Sequence, residues 1–252
     1  MTDSKSMFQY DTLQMYFRDD YHVNDKIVIH QPSIGDILET GEKEFFSSLY
    51  AFIGNPTTYR LQLWKLGYDW NKVSDFELFC ALAPKTGKSF SDMMFNGLDF
   101  SLFEDCAREK DGETEVVLYN PEEDIMINEE IYLHIRDYLQ ALFKIYPKVE
   151  KAKGKTTKEW IIKEEEEKLE QNKDSQDSDS MLFPLISSCV NHPGFKYKLQ
   201  ELRDVGIFEF MDCVSRLQVY ESSTALLKGM YSGFIDTSKI DDSKFNFMRE
   251  IK

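Results

Sequence analysis

The sequence predicts a mainly α fold: a multi-helix domain with one or two short β-hairpins in its N-terminal part, and a helical C-terminal part. Three observations predict it. Apolar residues recur at i, i+3 and i+4 in long windows. Helix-starting residues stand just ahead of those windows, at Ser33, Ser74 and Asn128. Two short runs rich in β-branched residues are interrupted by turn residues, as in hairpins.

In chain order, residues 1–20 are polar with scattered aromatics. Tyr21-His22-Val23, a turn-like Asn24-Asp25, and Lys26-Ile27-Val28-Ile29-His30 form the first hairpin pattern, which Pro32 ends. Ser33 with Asp36 is a variant capping box. The helix it starts buries Ile34, Ile37 and Leu38, then Phe45, Phe46, Leu49 and Phe52, and Gly41 is placed to kink or split it. After the break at Gly54-Asn55-Pro56-Thr57, a helix is expected over 58–66, with Leu61 and Trp64 on one face and Gly67 as its stop.

Ser74-Asp75-Phe76-Glu77 is a capping box proper, and Phe76, Phe79, Cys80 and Leu82 point inward until Pro84. Residues 89–110 are expected to form shorter helices around Met93, Met94, Phe95, Phe100, Leu102 and Phe103. The runs 115–119 and 124–127 flank Asn120-Pro121-Glu122-Glu123 as a second hairpin. Asn128 then caps a helix with Glu129 and Glu130 in its first turn and Ile131, Ile135, Tyr138 and Leu142 in register, ended by Pro147.

The character then changes. Residues 148–158 are basic and polar, and 158–179 are mostly charged. Glu159/Lys163 and Glu164/Lys168 have the order that supports an exposed helix, and the polar run from Gln171 to Ser180 reads as a loop. This stretch divides the chain into 1–150, a charged helix or linker 151–180, and 181–252. In the last part Pro184 suits a first helical turn, and His192-Pro193-Gly194 ends a short helix. A long helix from Val205 or Gly206 to Tyr231 follows, with a stripe through Ile207, Phe210, Met211, Val214, Leu217, Tyr220 and Met230.

Composition narrows the function classes. With 42% hydrophobic and 14% aromatic residues the chain has enough apolar material for a sizeable core. The net charge of -15, with no basic cluster in sequence, argues against nucleic acid and against an anionic membrane surface. It leaves two readings level: charge that keeps the chain soluble, or charge that meets a basic partner. Cys80, Cys106, Cys189 and Cys213 lack the spacing of a zinc ribbon or redox pair. A polar Met1 to Asp11 carries no signal-peptide pattern, and no apolar run nears the roughly 20 residues of a membrane span. A cytoplasmic protein with reduced thiols is expected.

No chemical motif survives a test of its spacing. Thr86-Gly87-Lys88-Ser89 and Lys153-Gly154-Lys155-Thr156 resemble the end of a phosphate loop. Leu82 and Val149 stand where that loop needs its first glycine, so both read as ordinary turns. His22, His30, His134 and His192 show no metal spacing, and no local nucleophile motif is present. Neighbouring residues on a helix diverge, so the run Glu164 to Glu167 is a solvated face or a dock for a lysine-rich partner before it is a carboxylate site. The sequence therefore assigns no catalytic residue, no cofactor and no metal. Trp64 reads as core. Trp160, Phe195 and Tyr197 are the candidate partner-binding aromatics.

One resemblance goes further. Ile29-His30-Gln31-Pro32-Ser33-Ile34-Gly35-Asp36-Ile37 resembles a Q-P-[ST]-I-G-[DE]-I start found in tail-region proteins of phages that infect Gram-positive bacteria. Gln62-Leu63-Trp64-Lys65-Leu66-Gly67, Gly97-Leu98-Asp99-Phe100, Pro193-Gly194-Phe195-Lys196-Tyr197 and Tyr231-Ser232-Gly233-Phe234 are similar in kind. The resemblance implies a non-enzymatic tail-assembly factor. Such a chaperone would bind the tape-measure protein until tail-tube subunits replace it, in the infected host cell. The other readings are a structural tail or baseplate component of the virion and, ranked lower, an enzyme whose site assembles in space. A homo-oligomer is compatible with all three.

Overall fold

The computed structural model describes residues 10–110, 113–173 and 180–251. The fold is mainly α, with two small antiparallel sheets. The first described element is α1 (Thr12–Tyr16), capped by the Asp11 carboxylate, in a stretch whose sequence shows no helical period. β1 (Tyr21–His22) and β2 (Val28–Ile29) form the first hairpin, whose turn is tied by the Asn24 side chain to the backbone of Lys26 and Ile27. The Ser33–Asp36 capping box is complete and starts α2 (Ile34–Thr40). Gly41, at φ +94, splits the expected helix, and α3 (Glu42–Ile53) follows; the break leaves Leu38 42% exposed rather than buried.

α4 spans Arg60–Lys65, starting later than expected because Asn55 organises a turn through Thr58. α5 (Asp75–Leu82) carries the second complete capping box, Ser74–Glu77, and α6 spans Lys88–Met94. The expectation of helices through residue 110 fails over Glu104–Lys110, which form β3. This run has no apolar period of its own. Its backbone groups are satisfied by the neighbouring β4 (Glu113–Asn120), in a register that sets Cys106 opposite Val117 and Arg108 opposite Glu115. An edge position tolerates its charges, and Arg108 pairs Glu115 at 3.1 Å. β5 (Ile125–Ile127) completes the sheet on the other side of β4.

α7 (Glu129–Phe143), capped by Asn128, packs against α3. Phe52 of α3 sits at the centre of an aromatic nest, with ring centroids 4.9 Å from Phe100, 5.0 Å from Phe95 and 5.6 Å from both Phe79 and Phe90. Each such pair adds about 0.5–1.5 kcal/mol beyond the area it buries. α9 (Leu182–Val190) and α10 (Ile207–Tyr231) contribute Leu182, Cys189, Ile207, Phe208 and Phe210 to this same apolar core.

The charged stretch forms α8 (Lys155–Lys173), which includes the first residues expected to be loop; residues 174–179 lie outside the described part. α8 closes a second, smaller cluster, where Ile162 and Ala152 meet Leu61, Leu63, Trp70 and Leu78. Polar bonds hold the approach: Asn55 donates to the carbonyls of Pro147 and Lys148, Trp70 Nε1 to that of Glu150, and Asn71 to that of Ala152.

The Gln31-Pro32-Ser33-Ile34-Gly35 stretch forms a clasp with the start of α10. Ser33 bridges Gly206, the Ile34 amide donates to the Val205 carbonyl, and the Ile207 amide donates to the Pro32 carbonyl, both at 3.0 Å. Arg18 spans both sides of the clasp, donating to the carbonyls of Gln31 and Asp204. Gly35 is needed because a Cβ there would lie 2.8 Å from the Arg203 carbonyl oxygen. Gln31, fully buried, donates to the Tyr138 hydroxyl, whose ring stacks on Tyr21 at 4.0 Å.

Candidate protein-interaction surface

The fully buried apolar residues of α10 lie at its start, Ile207, Phe208 and Phe210, and Met211, Val214 and Leu217 pack partly buried against the same core. Beyond that its flanks line shallow grooves. The most aromatic, about 370 Å³, runs between α10 and the Pro193-Gly194 turn. Tyr16, Phe195, Tyr197, Leu217, Tyr220 and Phe247 line it.

Local bonds position these side chains. The Gly194 amide donates to His192 Nδ1 at 3.0 Å, which leaves Nε2 as the protonated nitrogen that donates to Glu221 at 3.2 Å. The turn it stabilises brings Phe195 edge-on to Tyr197, at 5.8 Å. The Tyr197 hydroxyl donates to the Glu209 carboxylate, and that bond first, then burial, raises its pKa. Tyr220 meets Phe247 edge-on at 5.8 Å. Phe247 is brought there by the C-terminal segment: Arg216 donates to the Arg249 carbonyl, and Arg249 donates to the Ser223 hydroxyl and the Lys244 carbonyl. Asp212 is bound by Lys144 at 2.9 Å and flanked by Arg216 at 3.7 Å. Burial, reinforced by Glu209 and Asp212, pushes the Cys213 thiol up to about 11, so it lines the groove as a small apolar group and not as a nucleophile.

Of the aromatics singled out in the sequence, Phe195 and Tyr197 come together here, each half-buried. Trp160 stands 65% exposed on α8 and takes no part in this groove. Trp64 packs against the second cluster, edge-on to Trp70 at 5.8 Å. Tyr16, Tyr220 and Phe247 were missed as groove residues. Their neighbours lie far away in sequence, and α10 periodicity assigns Tyr220 to a buried stripe.

The run Glu164 to Glu167 is occupied by this chain's own cations. Glu165 pairs Arg60 at 2.5 Å, Glu166 pairs Lys65 at 3.1 Å, Glu164 pairs Lys168 at 2.6 Å and Glu167 pairs Lys163 at 3.8 Å. The expected Glu159/Lys163 pair gives way to Lys155/Glu159. Glu165 and Glu166 strap α8 onto α4, and Glu164 and Glu167 pair within α8, which weakens the case for the run docking a lysine-rich partner. The two loop-like glycine motifs sit at the starts of α6 and α8. Lys88 pairs Asp92 in the first, and Gly154 takes φ +86 in the second. Among the described residues no group of three or more His, Cys, Asp or Glu is placed to hold a metal, and no helix is long and apolar enough to cross a membrane. No protein-family model, curated protein or solved structure matches the chain.

Proposed function

We propose that this chain is a non-enzymatic phage tail-assembly factor, a chaperone that shields the apolar face of a helical tail protein such as the tape-measure protein. The observation that carries the reading is the partly covered α10, whose aromatic groove joins Tyr16, Phe195, Tyr197 and Tyr220. Rigid aromatics with a polar tip suit reversible contact with an amphipathic helix, because they bury large area at small entropic cost. The net charge of -15 favours a partner helix whose apolar stripe is edged by lysine or arginine. The segment resemblance supports the phage setting.

Co-expression with the tape-measure protein of the same phage tests it. The expected result is a tape-measure protein that stays soluble and co-purifies with this chain, and that loses both properties with Phe195→Ala/Tyr220→Ala. Equal solubility with and without this chain, and no co-purification, overturns the proposal.

A further inference from the structure

The aromatic groove ends along α10 at Tyr220, where the chain's own C-terminal segment closes it. After α10 the backbone turns at Gly233, φ +72, and comes back along the helix. Ile235 packs on Gly229, where a Cβ would lie 2.9 Å from it. Further on, the Ser223 hydroxyl donates to the Lys244 carbonyl at 2.9 Å, and Arg249 donates to both groups at 2.9 Å. Arg216 donates to the Arg249 carbonyl at 2.7 Å, and Phe247 lies edge-on to Tyr220. By their spacing Arg216, Tyr220, Ser223 and Leu227 share one stripe of the helix, and the first two also line the groove. The returning segment is laid along that stripe.

The segment is held lightly. Among the described residues from Ser232 onward none is buried, whereas the start of α10 is fixed by buried Ile207, Phe208 and Phe210. Its shape is local: Asp236 accepts from the Ser238 amide and Asp241 from the Ser243 amide, so two short turns form without help from α10. What it covers is Ser223, only 1% exposed. A serine hydroxyl is satisfied by the segment when it lies down and by water when it lifts, so neither state strands a buried polar group.

We propose that residues 236–251 are a displaceable strap, which masks the outer end of the partner-binding face of α10 and is pushed off when an amphipathic helix binds there. The inference rests on the α10 reading above and adds a control to it. Packed helices keep their axes about 8–10 Å apart, so a partner laid along this stripe takes the place of Phe247 and of the backbone at Lys244. Binding is thereby linked to lifting: the apparent dissociation constant is the intrinsic one divided by the fraction of chains whose strap is lifted. The strap lowers affinity without touching the partner, and it returns when the partner leaves.

Trypsin reads the strap without a partner. Cleavage after Lys244 needs that carbonyl free of Ser223 and Arg249, so the initial rate of this cut in the full chain, followed by mass spectrometry, reports lifting. Arg249→Ala loosens the strap from its own side and Ser223→Ala from the helix side, and circular dichroism checks that both variants remain folded. Each is expected to speed the cut roughly three- to tenfold, the scale of one or two lost hydrogen bonds, and to bind the tape-measure protein of the same phage tighter by the same factor. Bound tape-measure protein is expected to speed the cut in the wild type, by linkage. A cut unchanged in both variants, or slowed in the wild type by the bound partner, overturns the proposal. Capture unchanged or weakened while the cut has quickened also overturns it and leaves the α10 reading standing. No capture by wild type or by either variant overturns the α10 reading, and the strap's role with it.

Discussion

Helix α7 buries seven of its fifteen residues, whereas α10 buries four of its twenty-five. Both carry an apolar stripe of helical period, and both begin with a firm anchor, an Asn128 cap in one and the backbone clasp to Pro32 in the other. They differ in neighbours. α7 lies against α3, β5 and the start of α10, so its stripe is enclosed. α10 passes α7 only with its first turns. Its distal half is covered by the C-terminal segment through polar bonds, and the residue buried there is Ser223 rather than a leucine. Periodicity shows that a helix has an apolar face; how much of that face is covered depends on what the rest of the chain places beside it.

The largest expected effect breaks the enclosed side. Phe52→Ala, at the centre of the aromatic nest, should cost about 3–5 kcal/mol in urea unfolding, from lost transfer energy and the cavity left behind. Ile135→Ala on α7, fully buried, should cost about 2–5 kcal/mol in the same assay. Tyr220→Ala on α10 should cost only about 0.5–1.5 kcal/mol, the scale of its edge-on pair with Phe247, because its side chain is 47% exposed, while weakening the proposed capture of a tail protein. Similar costs at Ile135 and Tyr220 would remove the contrast between the helices.

The anchor of α10 is the next target. Arg18→Ala strips the Gln31 and Asp204 carbonyls of a charged donor and should cost about 1–3 kcal/mol. Gly206→Ala would place a Cβ 2.8 Å from Arg18 Cδ, so the two changes should be non-additive, with Arg18→Ala relieving much of the Gly206→Ala penalty. A double-mutant cycle read by thermal unfolding checks this.

The smallest effect concerns the hold on α8. The hydrogen bond and charge of Lys158 keep the Asp69 carboxyl below its ordinary 3.8. A depressed folded pKa means that the contribution is complete above 3.8 and fades as pH falls through the lower folded value. The protection of amides at the start of α8, taken relative to intrinsic exchange at the same pH, should therefore fall in acid, and Lys158→Ala should produce the same loss of protection at neutral pH. Exchange that is unchanged by Lys158→Ala would show that Ile162 and Ala152 alone dock the helix.

Much of this fold was legible in the residues because its signals are local. Both capping boxes, the Asn128 cap, both hairpins, the break at Gly41 and the end of α10 arise from contacts within a few positions, where side-chain chemistry and backbone demand meet directly. The mainly α class was determined at that level. The partial exposure of Phe195 and Tyr197 was also legible, since they follow a Pro-Gly turn. What only the tertiary structure decided is long-range. Glu104–Lys110 became a strand because β4 satisfied its backbone, and Glu165 and Glu166 became a strap because α4 presents Arg60 and Lys65. The Gln31–Gly35 motif acquired its meaning from Val205, Gly206 and Ile207, more than 160 positions away. Tyr16, Tyr220 and Phe247 met in one groove for the same reason. Hydrogen-bonding periodicity acts over one turn of chain, while burial and charge compensation depend on whichever surface folding brings alongside.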